Sequence, residues 1–173
     1  MSKTLLAAVS GFEPIVGTQP HVLILGSMPG TQSLTDNQYY AHPRNAFWPI
    51  AEALFGVPAD APYLARCDAL AASGVALWDV LAECVRAGSL DASISPDSVA
   101  INDFESFFSE HNGITRVLCN GAYAHKTYSR RVVPTLSPQF AALPVLKVPS
   151  TSPAFASMRV PEKIAAWRAA MTA

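Results

Sequence analysis

The sequence predicts an α/β domain, a parallel sheet covered on both faces by helices. Three observations support this. Four short apolar runs, Val22–Leu25, Val75–Trp78, Arg116–Cys119 and Val145–Val148, are each flanked by Gly, Pro, Ser or Asn and read as buried strands. Segments with helical spacing alternate with them, which implies right-handed crossovers between parallel strands. The chain has 173 residues, 50% hydrophobic and 14% charged, which suits a single domain over 1–173 with its own core.

Taken in order, the N-terminal MSKTLLAAVSGFEP has one lysine and a brief apolar patch. That is too little for a signal peptide, and no apolar run approaches the ~20 residues of a membrane span. A cytoplasmic protein with a short leading segment is expected. After the first strand, Ala46 to Phe55 places Phe47, Ile50, Ala51 and Leu54 on one helical face, and Gly56-Val57-Pro58 ends it. Tyr63 to Ala72 is rich in Ala and Leu and stops at Ser73-Gly74. Asp103 to His111 carries Phe104, Phe107 and Phe108 on one stripe, with Asn102 as the expected N-cap and Asn112-Gly113 as the stop. Ala122 to Val132 follows the third strand, and Pro161 to Met171 closes the chain with Pro in a first turn. Glu83 to Asn102 shows Gly, Ser, Asp and Pro with little periodicity, and reads as a long functional or mobile loop.

A net charge of −1 argues against extended phosphate contact, although a small footprint on nucleic acid needs only a few groups. Cys67, Cys84 and Cys119 are widely spaced, and His21, His42, His111 and His125 show no metal-ligand spacing. Reduced thiols and no metal site are expected.

The chemistry concentrates in Gly26–Trp48. A strand runs into Gly26-Ser27-Met28-Pro29-Gly30, then the eight residues Thr31–Gln38 without hydrophobic periodicity, then Tyr39-Tyr40-Ala41-His42-Pro43-Arg44-Asn45. Such a loop builds a pocket at the carboxyl edge of an α/β sheet. Its amides, hydroxyls and flat rings suit a planar polar ligand. The turn lacks both GxGxxG and GxxxxGK[ST], so it is a weak nucleotide cradle. It is not GxSxG, and no base partner for a Ser27 nucleophile is visible. By residue type alone, Asn45 reads as an N-cap.

These motifs resemble the uracil-DNA glycosylase superfamily, most closely its hypoxanthine- (deoxyinosine-) DNA glycosylase branch, then the mismatch-specific uracil-DNA glycosylases. The resemblance rests on GSMPG (26–30), YYAHPRNAFW (39–48), LWDVL (77–81), SLDASI (89–94), CNGAYAH (119–125) and PSTSPAFA (149–156), in the family's order over most of the chain. It implies a three-layer α/β/α sandwich with a central four-stranded parallel sheet. It further implies a monomeric DNA glycosylase that flips a deaminated base out of DNA and hydrolyses its N-glycosidic bond without metal or cofactor.

Roles carry over by position. The water-positioning Asp or Asn of the first turn is replaced by Met28, and the hypoxanthine branch uses the Asn matching Asn45, whose amide orients water without being a strong base. Tyr40 matches the ring that stacks on the flipped base. The backbone of Gly26, Ser27, Met28, Pro29 and Gly30 would receive the base's carbonyl and its charge. Asn120 either reads a base edge or is a satisfied turn residue. Ser150, Thr151, Ser152 and Pro153 match the second motif that approaches DNA, with Phe155 or Met158 as a wedge. That motif lacks the superfamily's His, and Phe155 stands where relatives carry Asn. No lysine matches a lyase nucleophile, so Lys3, Lys126, Lys147 and Lys163 read as solvated charges. Arg44, Lys126, Arg130, Arg131 and Arg159 would give a modest positive face. The same departures motivate an alternative: a lesion-binding module of this fold with weakened chemistry.

Overall fold

The computed structural model describes residues 5–173. Its strands are β1 (Ala8–Ser10), β2 (Val22–Gly26), β3 (Val75–Asp79), β4 (Leu81–Val85), β5 (Ala100–Ile101), β6 (Arg116–Asn120) and β7 (Val145–Val148). Its α-helices are α1 (Thr31–Asp36), α2 (Phe47–Phe55), α3 (Tyr63–Ala72), α4 (Phe104–Glu110), α5 (Ala122–Thr127), α6 (Pro138–Ala141) and α7 (Val160–Thr172).

The four apolar runs are the four strands of one parallel sheet, in the order β3-β2-β6-β7. Side chains alternate across its faces, and the sequence of β2 uses both. Val22 and Ile24 pack with Val75, Leu77, Leu118, Phe47, Ile50, Leu70 and Trp167 on the side of α2, α3 and α7. Leu23 and Leu25 pack with Ala76, Trp78, Val117, Phe104, Phe107, Phe108 and Tyr128 on the other side. The sheet therefore lies between two cores, which is the expected three-layer α/β/α sandwich. β2 is central, β3 lies on one side and β6 on the other, so the chain changes direction between β2 and β6. Loops leaving the carboxyl ends of two such strands diverge and open a crevice.

Several details differ from expectation. Glu83–Asn102 is not an irregular loop: it contains the end of β4, 3-10 turns at Asp91–Ser93 and Pro96–Ser98, and β5. The leading segment contributes β1, which pairs antiparallel with β4 and completes a second sheet, β1-β4-β5. Strands of two to five residues are too short to display a period, and non-local pairing supplies their stability instead. Asp103, not Asn102, caps α4 by accepting from Ser106 N at 3.1 Å. Asn102 is engaged elsewhere, donating to the Asp79 carbonyl at 2.8 Å. The helix begun at Ala122 widens into a π-type turn over Tyr128–Val132. Among the described residues no helix is long and apolar enough to cross a membrane.

Candidate active site

At the crevice between β2 and β6 lies a cavity of about 390 Å³, a size usual for small-molecule pockets (about 300–1,000 Å³). Gly26 to Gly30, Tyr40, Asn45, Asn120, Ser150, Thr151, Ser152, Pro153 and Phe155 all contribute to its lining, so segments far apart in sequence converge there.

The first turn is built by close approach. A Cβ on Gly26 would lie 2.4 Å from Asp79 Oδ1 and 2.9 Å from the Tyr40 hydroxyl oxygen, so a side chain there would displace both. The Gly26 and Ser27 carbonyls accept from Val80 N (2.8 Å) and Leu81 N (3.1 Å), fixing the turn to the strand crossover. Met28, which the resemblance set at the water-positioning place of the first turn, is 6% exposed and packs into the core with Leu23 and Leu25. Its thioether makes no strong hydrogen bond, consistent with a packing role.

The wall that follows is held by rings. Tyr39 is buried, its hydroxyl donating to Glu13 O (2.9 Å) and its carbonyl accepting from Trp48 Nε1 (3.1 Å). Tyr40 has φ +52°, an unusual conformation for a bulky residue and a mark of a position determined by its surroundings. Its ring stacks on Phe47, with centroids 4.2 Å apart and planes inclined by 21°. One face of Tyr40 is thus backed by a second ring while the residue lines the cavity. Asn45 accepts from Phe47 N through Oδ1 at 3.0 Å, two residues ahead of α2. The N-cap position itself is held by Ala46, which makes no side-chain cap bond, so Asn45 orders the entry to the helix without occupying the expected cap position. The second lone pair of Oδ1 and the two Nδ2 hydrogens remain beyond that bond.

Asn120, at the end of β6, braces two walls. Its Nδ2 donates to the Tyr40 hydroxyl (3.1 Å) and to Thr151 Oγ1 (3.0 Å), and its Oδ1 accepts from Thr151 N (3.0 Å). Both donors are thereby engaged, which matches the satisfied-turn alternative more closely than the base-reading one. Thr151 is 1% exposed, and its carbonyl accepts from Ala46 N (2.9 Å), joining the second motif to the start of α2. Phe155 is 38% exposed at the rim. Met158 is half-buried and lies outside the cavity lining. Lys163 is not a solvated charge: it is 4% exposed, donates to Phe155 O at 2.8 Å and has its pKa lowered by burial. It ties the rim to α7. Lys3 lies outside the described residues.

The third wall was not assigned from sequence. Ser89 accepts from Thr31 N (2.9 Å) and shares a 2.8 Å bond with Thr31 Oγ1. Asp91 Oδ1 accepts from Ser27 Oγ at 2.6 Å. Arg86, 5% exposed, donates to Gly88 O (2.9 Å) and to Pro29 O. The segment after β4 thus clamps the first turn from outside. Asp79 is the other omission. It ends β3, pairs in register with Gly26 and is 3% exposed in the cavity lining. Burial, reinforced by the charge of Asp91 and opposed by Arg86, pushes its carboxyl up to about 7. Burial also raises Asp91, against the Ser27 bond and Arg86. The signal was present in the LWDVL and SLDASI strings, each of which carries an acid in an otherwise apolar or hydroxyl-rich run. Among the described residues, no group of three or more His, Cys, Asp or Glu is placed to share a metal ion.

Comparison with known proteins agrees with this geometry. Residues 14–170 match the profile of the Uracil DNA glycosylase superfamily. A hypoxanthine DNA glycosylase of Methanosarcina barkeri is 35% identical over 112 residues, covering 64% of this chain and 70% of the relative. The hypoxanthine DNA glycosylase of Methanosarcina acetivorans is 35% identical over 95 residues, covering 54% of this chain and 59% of that protein. The solution NMR structure of a candidate uracil DNA glycosylase from Methanosarcina acetivorans superposes with a TM-score of 0.75 at 28% identity, covering 94% of this chain and 98% of that one. With the profile spanning nearly the whole chain and the fold shared end to end, the chain belongs to the uracil DNA glycosylase superfamily.

Proposed function

We propose that this protein is a monofunctional DNA glycosylase that removes hypoxanthine or uracil from DNA, acting as a monomer on nucleoid DNA and leaving an abasic site. The observation that carries the reading is convergence. Asn45, Tyr40 and the Gly26–Gly30 turn, separated in sequence, line one cavity of a size suited to an extruded base. Both curated relatives are named for hypoxanthine, which supports the choice of base.

The residues divide the work as follows. Flipping costs a few kcal/mol of stacking and pairing, least at a mispaired or damaged base. Tyr40, backed by Phe47, offers a rigid ring face; stacking of this kind is worth about 1–3 kcal/mol per base. The bond then lengthens toward an oxocarbenium sugar and an anionic base. Backbone amides of the first turn stabilise that charge without reorganising, because the clamp from Ser89, Asp91 and Arg86 already holds them. Asn45, its Oδ1 oriented by Phe47 N, accepts from the attacking water through its remaining lone pair. Ser150, Ser152 and Pro153 approach the backbone of the DNA, and Phe155 at the rim occupies the vacated stack.

Duplexes containing deoxyinosine or uracil should be cleaved by alkali after incubation with the protein. Asn45→Ala should lower the rate by about a hundredfold or more. Undiminished activity in that variant would remove Asn45 from the mechanism. Retained affinity for lesion DNA with no abasic product from the unaltered protein would favour a binding module instead.

A further inference from the structure

The clamp behind the first turn holds a cation whose charge is not needed for tethering. Arg86, just after β4, is 5% exposed. Its Nε donates to Gly88 O at 2.9 Å and its Nη2 donates to Pro29 O. Its Nη1 is buried and, among the described residues, has no hydrogen-bond partner. No carboxylate among those residues lies within ion-pair distance of it. Asp79 and Asp91 feel its charge, but burial pushes both toward the neutral form. A buried guanidinium without a counter-ion is costly, and a neutral amide could tether the turn at less cost.

The carbonyl and the N–H of one trans peptide point in opposite directions. Pro29 O is turned toward Arg86, so the Gly30 N–H of the same peptide is turned away from it, and Gly30 lines the cavity. Proline has no N–H at position 29, and Thr31 N is taken by Ser89 Oγ at 2.9 Å. Gly30 N is the amide left over in this stretch, with no partner among the described residues. A peptide whose oxygen is bonded by a full positive charge is more strongly polarised, and its N–H becomes a better donor.

We propose that Arg86 is a positioning residue for departure of the base: through the Pro29–Gly30 peptide, its charge makes the Gly30 N–H a strong donor to the negative charge that gathers on the leaving base. The proposal rests on the reading of the cavity as the base pocket. The polarised N–H gains little toward a neutral bound base and most toward the anion, so the effect falls on the rate more than on binding. The electron pair of the breaking glycosidic bond stays on the base. Arg86 keeps its proton, and no covalent bond forms there. Its bond to Gly88 O holds the guanidinium in place before the base enters, so no reorganisation is needed when the charge develops. A cation one peptide away also offsets the two acids of the cavity lining, Asp79 and Asp91, which would otherwise oppose an anion.

The test compares single-turnover rates on duplexes carrying uracil and 5-fluorouracil. The two bases have nearly the same shape, but fluorine stabilises the departing anion, so the second asks less of the protein. Arg86→Gln should be slower by about a hundredfold on uracil and by about tenfold or less on 5-fluorouracil. Arg86→Lys keeps the charge and should stay within about tenfold of the unaltered rate on both. An equal loss for Arg86→Gln on the two bases marks a merely structural role and overturns the proposal, as does an unchanged rate. If that variant does not fold, Gly30→Pro removes the N–H itself, at a position whose φ of −71° suits proline. It should show the same unequal loss, and an equal loss or none overturns the proposal. Each of these failures leaves the base-pocket reading intact. If the unaltered protein makes no abasic product, that reading fails on its own account. Calorimetric titration near about pH 7.5 then compares 5-nitrouracil, which is ionised there, with neutral uracil. Binding of the anion about tenfold tighter, with the preference lost in Arg86→Gln or Gly30→Pro, supports the proposal. Equal or absent binding, or a preference that survives the substitution, overturns it.

Discussion

The two long walls of the cavity are built by opposite means. The Tyr39–Trp48 wall is held by rings: Tyr39 meets Phe12 edge-on at 5.2 Å, Tyr40 stacks on Phe47, and Phe47 meets Trp48 and Trp167. The Arg86–Ile94 wall is held by hydrogen bonds, with only Arg86 and Ile94 deeply buried in it. Dispersion and apolar burial respond little to pH, while hydrogen bonds to ionisable groups respond strongly. The first wall therefore gives the pocket its shape, and the second makes its polarity adjustable. The reacting base would lie between a surface that pH leaves alone and one that it alters.

Breaking the ring-held wall should have the largest effect on stability. Phe47 is 1% exposed and supports Tyr40, so Phe47→Ala should cost about 3–5 kcal/mol in urea unfolding and weaken binding of lesion DNA as well. A loss below about 1 kcal/mol would show that the rings are not what holds this side.

A smaller effect, of opposite sign, should come from Asp79→Asn. The folded-state carboxyl titrates near 7, above its unfolded range, so between those values the folded state binds more protons than the unfolded. Stability then declines as pH rises through that window, and the uncharged amide escapes the decline. The variant should match the unaltered protein near pH 4 and exceed it by a few kcal/mol at pH 8, read as the difference between the two melting curves. An equal difference at both pH values would mean that the side chain does not titrate there.

The smallest effect belongs to the clamp. Asp91→Ala removes the bond to Ser27 and should cost about 1–2 kcal/mol. It also removes a like charge from beside Asp79, so the pH at which the stability difference between Asp79→Asn and its parent sets in should move to a lower value. An onset that stays in place would separate the two acids electrostatically and reduce Asp91 to a tether.

The parallel sheet was legible because its strands are buried on both faces and read as continuous apolar runs, Val22–Leu25 above all. The helices α2, α3 and α4 were legible for the complementary reason, an apolar stripe at helical spacing. The antiparallel sheet was not, because β5 has two residues and β1 three, and neither carries a pattern without its partner. Within the site, the loop as a whole stood out because rings and amides are unusual beside a buried strand, while the roles of Tyr40 and Asn45 came from the family resemblance, Asn45 by residue type reading only as an N-cap. Asp79 and Asp91 did not, because an acid in sequence reads as solvated until its neighbours are known. The burial of Lys163 escaped notice for the same reason.

Local composition thus settled the four parallel strands and the helices α2, α3 and α4, and marked a loop suited to a planar polar ligand, since those properties depend on neighbours a few residues away. Spatial assembly settled what the ionisable groups are. The charge of Asp79 depends on the removal of water by β2, Tyr40 and the segment after β4, and these come together only when the sheet has formed. Desolvation is a property of the enclosing volume, and no stretch of chain carries it alone.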